Sequence, residues 1–256
     1  MQPNTTLLNF EDLFDLKFVS VDFDKFAQII ADLVPAKKKV TIFPVSVDVI
    51  IKSRNDPEFF LILKKAFFLT PDGLPIMWAA KLTGKKLKAK ISGSDLFPAL
   101  CKVAADKNYK VFFLGAKRGV SQKASEILKR KYPKLNVVGV HSPPFGFESV
   151  EEENQHIVKM IEDKKPDILF VGLGAPKQEK WIWRYKDEIN VPVSIAVGAS
   201  FDFIASNVKR APKWMQKIGL EWFFRLCQEP CRLWKRYLIG NIIFIWMVLK
   251  EFIEND

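Results

Sequence analysis

A chain of 256 residues with a formal charge of +11, 48% hydrophobic and 27% charged residues, can bury a sizeable core and is too apolar to be disordered beyond its ends. Three cysteines, Cys101, Cys227 and Cys231, are an odd number without metal-ligand spacing, which argues against a disulfide framework and for a reducing compartment. Two histidines, His141 and His156, stand alone in the sequence, so neither a metal site nor a hydrolase triad is expected.

Residues 1 to 16 carry little pattern and read as a loose lead-in, whose acidic, charge-broken start is unlike a secretory signal. Residues 17–23 alternate as a strand does, and 24–33 form a helix capped by Asp22 or Asp24. Asp22-Phe-Asp24 is formally a metal–nucleotide motif, but at a first strand-to-helix junction capping explains it better. A second strand covers 40–43 and closes at Pro44. A helix starts at Asp56, its N-cap, with Pro57 in the first position. A short strand over 67–70 breaks at Pro71-Asp72-Gly73, a helix covers 76–81, and 85–90 is a basic loop. Then come a helix over 93–107 opened by Ser92 or Ser94, a buried strand over 111–114, a helix over 119–132 and a strand over 136–140. A Pro/Gly/Phe loop over 142–147 and a helix over 151–163 lead to strand 168–171, a helix after Pro176, and a last strand over 191–197. This alternation predicts an α/β fold, a Rossmann-like, mostly parallel sheet with helices on both faces. The alternation stops near Asn207, which divides the chain into 1–206, a core, and 207–256, a helical appendage.

Two stretches carry chemistry. Gly172-Leu-Gly174 closes a strand and Pro176 opens the next helix, so free N–H groups and the helix dipole would face an anion such as phosphate. Glycines that merely permit a tight turn explain the same residues equally well. Asp72 sits at a strand's C-terminal end, where α/β folds place their chemistry, although Pro-Asp-Gly is also a common turn.

Over half of the excess charge lies in the tail: eight Lys or Arg against Glu221 and Glu229 between Lys209 and Arg236, interleaved with Trp214, Trp222, Phe223, Phe224 and Trp234. Basic and aromatic residues at helical spacing read as a helix lying on an anionic membrane surface. Nucleic acid would welcome the same charges, but the apolar run 238–249 favours lipid, so no nucleic-acid partner is expected. A solvated basic face with its aromatics packed inward stays open. The run itself is too short to span a bilayer.

The stretch Gly172-Leu-Gly-Ala-Pro-Lys-Gln-Glu179 resembles the signature of the WecG/TagA/CpsF glycosyltransferases, family 26. So do Pro71-Asp-Gly73 with Trp78-Ala-Ala80, Ser92-Gly-Ser-Asp-Leu-Phe97, Val197 to Phe203 running into Arg210-Ala-Pro-Lys-Trp-Met215, and Gly219 to Tyr237. The resemblance covers roughly residues 15 to 250 in order. It implies an inverting, metal-independent transferase without a cofactor, at the cytoplasmic face of the plasma membrane. The donor would be a UDP-sugar, first N-acetylmannosamine, and the acceptor a polyprenyl-diphosphate-linked N-acetylglucosamine of a bacterial surface polymer. The alternatives are a hexosyltransferase using UDP-glucose and a membrane-surface nucleotide-binding module without turnover. Asp72 would be the base, and Arg225, Arg232 and Arg236 would stabilise the leaving diphosphate. Ser46, Lys90, Gly172, Gly174, Pro176, Gln178 and Asp202 would bind substrate. Pro44 and Ser46 stand where many members have Thr and Asn, and Lys90 where an arginine is common, which leaves the donor sugar open. Apolar surface on a mobile tail would also favour a homo-oligomer.

Overall fold

The computed structural model describes residues 8–254. Eight strands form one sheet: β1 (Asn9–Leu13), β2 (Leu16–Ser20), β3 (Val40–Val45), β4 (Phe68–Pro71), β5 (Lys110–Gly115), β6 (Asn136–His141), β7 (Ile168–Gly172) and β8 (Val193–Ala196). Their spatial order is β1-β2-β4-β3-β8-β7-β5-β6. All neighbours pair in parallel except β1 with β2. The α/β expectation holds.

The lead-in is corrected. Residues 9 to 13 are not loose but pair antiparallel with β2 as an edge hairpin, turning through Phe14 and Asp15, both in the left-handed region. Residues 1 to 7 of that lead-in lie outside the described residues. The second strand does not stop at Pro44 either. It continues to Val45, paired there with β4 after its ladder with β8 has ended at Ile42.

Thirteen α-helices are described. Those of the core are α1 (Phe23–Leu33), α2 (Val47–Arg54), α3 (Pro57–Lys65), α4 (Leu74–Leu82), α5 (Gly93–Lys107), α6 (Val120–Lys131), α7 (Glu151–Lys164), α8 (Lys177–Tyr185) and α9 (Ser200–Ile204). The start of α3 follows the sequence signal: Asp56 accepts the Phe59 N–H at 3.0 Å, with Pro57 behind it, a cap of about 1 kcal/mol. Asp22 holds the N-cap place of α1 without a side-chain capping bond.

Central strands are buried on both faces, and side chains alternate between two cores. Phe43, Phe112, Leu114, Leu169 and Val171 point to the face covered by α2, α3, α4, α7 and α8. Ile42, Val111, Phe113, Ile168 and Phe170 point to the other, under α1, α5, α6 and α9.

Beyond α9 the helices α10 (Lys213–Lys217), α11 (Glu221–Gln228) and α12 (Pro230–Trp234) lead through one π-helical turn (Lys235–Ile239) into α13 (Gly240–Glu254). The last helix is not a detached arm: Phe244 is buried in the first core, its ring edge-on to Phe14 at 5.5 Å. Its outer face is bare, with Ile242, Trp246 and Ile253 exposed by 70%, 64% and 73%. Among the described residues no helix is long and apolar enough to cross a membrane.

Candidate active site

The central strands β3 and β8 sit where the chain's winding reverses, with β4 on one side and β7 on the other. In open α/β sheets the C-terminal ends around such a switch point leave a crevice. Here it is a cleft of about 830 Å³, floored by the turns after β3, β4, β7 and β8 and covered by α11, α12 and the π-helical turn.

The turn after β4 carries Asp72. Its N–H donates to the Val45 carbonyl at 3.0 Å, and the Pro71 carbonyl accepts from the Ile91 N–H at 2.9 Å. Thr70 Oγ1 also donates to the Ile91 carbonyl. These bonds fix Asp72 between the ends of β3 and β4 and lay the basic loop, with Lys90, alongside it. Burial pushes the Asp72 carboxyl up, the negative charges of Glu221 and Asp95 add to this, and Lys90 and Arg210 pull against it, leaving it at about 6.

The turn after β7 differs from expectation. Pro176 is the N-cap of α8, not its first helical residue, and its carbonyl accepts the first helical bond from Lys180. The expected anion donor is also partly spent. Gln178 Oε1 accepts from the N–H of Gly174 at 3.2 Å and of Gly198 at 3.0 Å, joining the turns after β7 and β8. Gln178 Nε2 donates to Glu179 Oε1 at 2.8 Å. Glu179 is wholly buried, and burial, only partly offset by Gln178 and Lys52, raises its carboxyl to about 7. Gly172 does not line the cleft. A Cβ there would lie 2.6 Å from the Phe201 ring and 2.8 Å from the Gly198 carbonyl, so close packing of β7 on α9 is what requires glycine.

The cover supplies cations. Arg225, largely buried, lies over the Phe203 ring at 5.4 Å, and its Nε makes no hydrogen bond among the described residues. Arg236 Nε is 3.5 Å from Asp48 Oδ1, Asp48 Oδ2 is 2.8 Å from Lys52 Nζ, and Lys52 donates to the Ala175 carbonyl at 3.0 Å. This row of charges ties the tail to α2 and to the turn after β7. Arg232 is more exposed and pairs with Glu229. A Cβ on Gly219, which has φ +75°, would fall 2.3 Å from the Trp78 ring, so the tail is seated directly on α4.

The structure thus brings Asp72, Ser46, Lys90, Gly174, Gln178, Arg225, Arg232 and Arg236 to one cleft, whereas Gly172, Pro176 and Asp202 do not line it. Ser46 is the N-cap of α2 and makes no capping bond with its hydroxyl. Asp202 lies on α9, its carboxyl raised by burial against the pull of Lys117, Arg232 and Arg225, and its carbonyl accepts from the N–H of Asn207 and Val208. The histidines are not alone in space: their rings lie 6.3 Å apart, and His141 Nε2 is 3.3 Å from Glu153. Among the described residues no group of three or more His, Cys, Asp or Glu is placed to hold a metal ion. Sequence reasoning missed Lys52, Asp48, Asp95, Glu179, Arg210 and Glu221. Asp95, Glu179, Arg210 and Glu221 stood inside stretches already singled out, but the pairing of Arg210 with Asp95 spans 115 residues, which no local pattern encodes.

A model of the Glycosyl transferase WecG/TagA/CpsF family matches residues 11–256. The chain is 32% identical over 242 residues to the N-acetylglucosaminyldiphosphoundecaprenol N-acetyl-beta-D-mannosaminyltransferase of Bacillus subtilis (strain 168), covering 94% of this chain and 91% of that one. The proteins of the same description from Bacillus spizizenii (strain ATCC 23059 / NRRL B-14472 / W23) and Staphylococcus aureus (strain MRSA252) are 34% and 33% identical. They align with 73% and 74% of this chain, and 70% and 71% of their own.

Proposed function

The chain belongs to the Glycosyl transferase WecG/TagA/CpsF family, and from that premise we propose that it moves N-acetylmannosamine from a UDP donor to N-acetylglucosaminyl-diphosphoundecaprenol. The relatives' printed activity supports the acceptor and the transferred sugar. The observation that carries the chemistry is Asp72, fixed on the floor of the cleft under the tail's guanidinium groups.

Asp72 takes the proton of the acceptor's 4-hydroxyl as that oxygen bonds the donor's anomeric carbon. Attack comes from the face opposite the diphosphate, the carbon–diphosphate bond breaks, and configuration inverts. A carboxyl raised to about 6 is a stronger base than an ordinary aspartate yet still ionised at neutral pH. The electron pair leaves with the diphosphate, which Arg225, Arg232 and Arg236 neutralise from above, and Lys90 and the Gly174 turn line the cleft below. The sheet, 1–206, supplies the base and the donor site, and 207–256 completes the site.

The bare outer face of α13, together with the basic stretch that precedes it in the tail, docks on the cytoplasmic face of an anionic plasma membrane, where the lipid-linked acceptor resides. Co-sedimentation with anionic vesicles supports docking, while concentration-dependent dimers or trimers that hide Trp246 and do not bind vesicles assign that face to a second copy.

The test of the reaction is UDP release from a panel of UDP-sugars, with and without a short-chain polyprenyl-diphosphate N-acetylglucosamine, with and without EDTA. Acceptor-dependent, EDTA-resistant release from UDP-N-acetylmannosamine is expected, falling roughly 10²- to 10⁴-fold in Asp72→Asn. Release from UDP-glucose instead assigns a hexosyltransferase. Binding of UDP without release from any donor overturns the enzymatic reading.

A further inference from the structure

Arg210 belongs to the segment between α9 and α10 and takes no step in the transfer proposed above. Its Nη1 donates to Asp95 Oδ1 at 2.6 Å and its Nε to Glu221 Oε1 at 3.1 Å. Asp95 lies in the first turn of α5, in the core, and Glu221 opens α11, in the cover. One partly buried guanidinium therefore bolts the cover to the core. Asp95 Oδ2 also accepts from Ser92 Oγ at 2.6 Å and pairs with Lys90 Nζ at 3.3 Å. Burial alone would raise the Asp95 carboxyl, but hydrogen bonds from Arg210 and Ser92 and the charge of Lys90 more than offset it and hold it at about 2. Asp95 is thus an anion at any pH at which the protein works.

These four charges are the ones that face Asp72: Lys90 from the loop before α5, Asp95 from α5, Arg210 from the segment before α10, and Glu221 from α11. Farther along the cleft wall stand Asp48 and Lys52 of α2, Arg225 of α11 and Arg236. Two carboxylates beside a third would repel it and one another. The guanidinium between Asp95 and Glu221 offsets that repulsion.

We infer that Arg210 is a positioning residue: by clamping Glu221 to Asp95 it seats α11 over the cleft and fixes the charge balance around the Asp72 carboxyl. The seating of the cover and the basicity of the base are then one event. When α11 lifts, Glu221 leaves with it, and Asp72 becomes a weaker base. This rests on the reading of Asp72 as the base.

The experiment compares full-length Arg210→Met and Glu221→Gln with the unaltered chain, following the acidic limb of kcat/KM for acceptor-dependent UDP release. In parallel, the Asp72 carboxyl is titrated by ¹³C NMR in the free protein. The expected result is a downward shift of roughly half to one pH unit in both: Glu221→Gln removes one repelling charge, and Arg210→Met, by freeing α11, carries the same charge away from Asp72. Arg210→Lys, which keeps the charge but cannot bridge both carboxylates at once, shifts downward at least as far as Arg210→Met. A merely structural role moves neither limb nor titration, and a guanidinium that only offsets charge, with α11 still seated, shifts Arg210→Met upward; either result overturns the proposal. Should Asp72→Asn keep full activity, the base reading falls, and the NMR titration alone decides: downward shifts in both variants uphold the Arg210 clamp, and an upward or unmoved Arg210→Met overturns it.

Discussion

On the sheet side of the cleft, Asp72, Gly174 and Gly198 are held by backbone N–H groups with partners at 3.0 to 3.2 Å, and the glycine ends of β5 and β7 leave no room for a methyl group. On the tail side, Arg225 and Arg236 bury their Nε atoms without a hydrogen bond among the described residues, and α11 contains no fully buried residue. One wall is finished before substrate arrives, and the other is held by a few ion pairs and a Trp78–Gly219 contact. Unmade hydrogen bonds of a buried guanidinium cost free energy that a diphosphate would return. The contrast teaches that the sheet stores geometry, while the cover stores unspent binding capacity.

Removing the cover is the harshest way to break that contrast. Truncation after Ala205 is expected to reduce acceptor-dependent UDP release to background while circular dichroism retains the α/β signal. Because Phe244 is buried against Phe14, the cut also exposes part of the first core, so the truncated chain should melt earlier. The full-length Arg225→Ala/Arg236→Ala variant separates the two effects, with a loss of roughly 10²-fold or more in kcat and little change in melting. Equal activity of that variant and the unaltered chain would mean that the cover contributes no charge to the reaction.

A smaller effect sharpens the other half. Gly172→Ala places a Cβ 2.6 Å from the Phe201 ring, and thermal unfolding should show a loss of about 1–3 kcal/mol. A neutral result would show that α9 can yield, and that this wall is less finished than its contacts imply.

The last effect concerns pH. Glu179 titrates at about 7 in the folded chain against 4.5 in the unfolded one, so its favourable contribution is whole below about pH 4.5 and is lost as pH rises through about 7. Asp72, raised from 3.8 to about 6, acts with the same sign over a lower window. Glu179→Gln should flatten the decline between about pH 4.5 and 7, leaving the Asp72 part, as read by urea unfolding at several pH values. An unchanged decline would assign it elsewhere.

The sheet was legible because its code is local: apolar runs of four to six residues closed by Gly or Pro, and a Pro57 start capped by Asp56, recur along the chain. The β1 hairpin was not, since Asn9 to Leu13 mixes acidic and apolar residues without clean alternation and gains its place by pairing with β2. Asp72 and the tail arginines could be found because motifs carry them. The use of Gln178 as a brace between two turns could not, because Gly198 lies twenty residues away and only folding brings it within reach. Arg210 failed for the same reason more acutely, its core partner Asp95 lying 115 residues earlier.

The cysteines lend the cover a last property. Cys101 is sealed in the core, while Cys227 on α11 and Cys231 on α12 are exposed thiols flanking the arginines. A maleimide fluorophore added to the native protein would therefore label the cover alone, with no engineered residue. Its emission would serve as a built-in stopwatch, reporting how quickly these helices settle after the chain is mixed with nucleotide or vesicles, and whether they lift before each product departs.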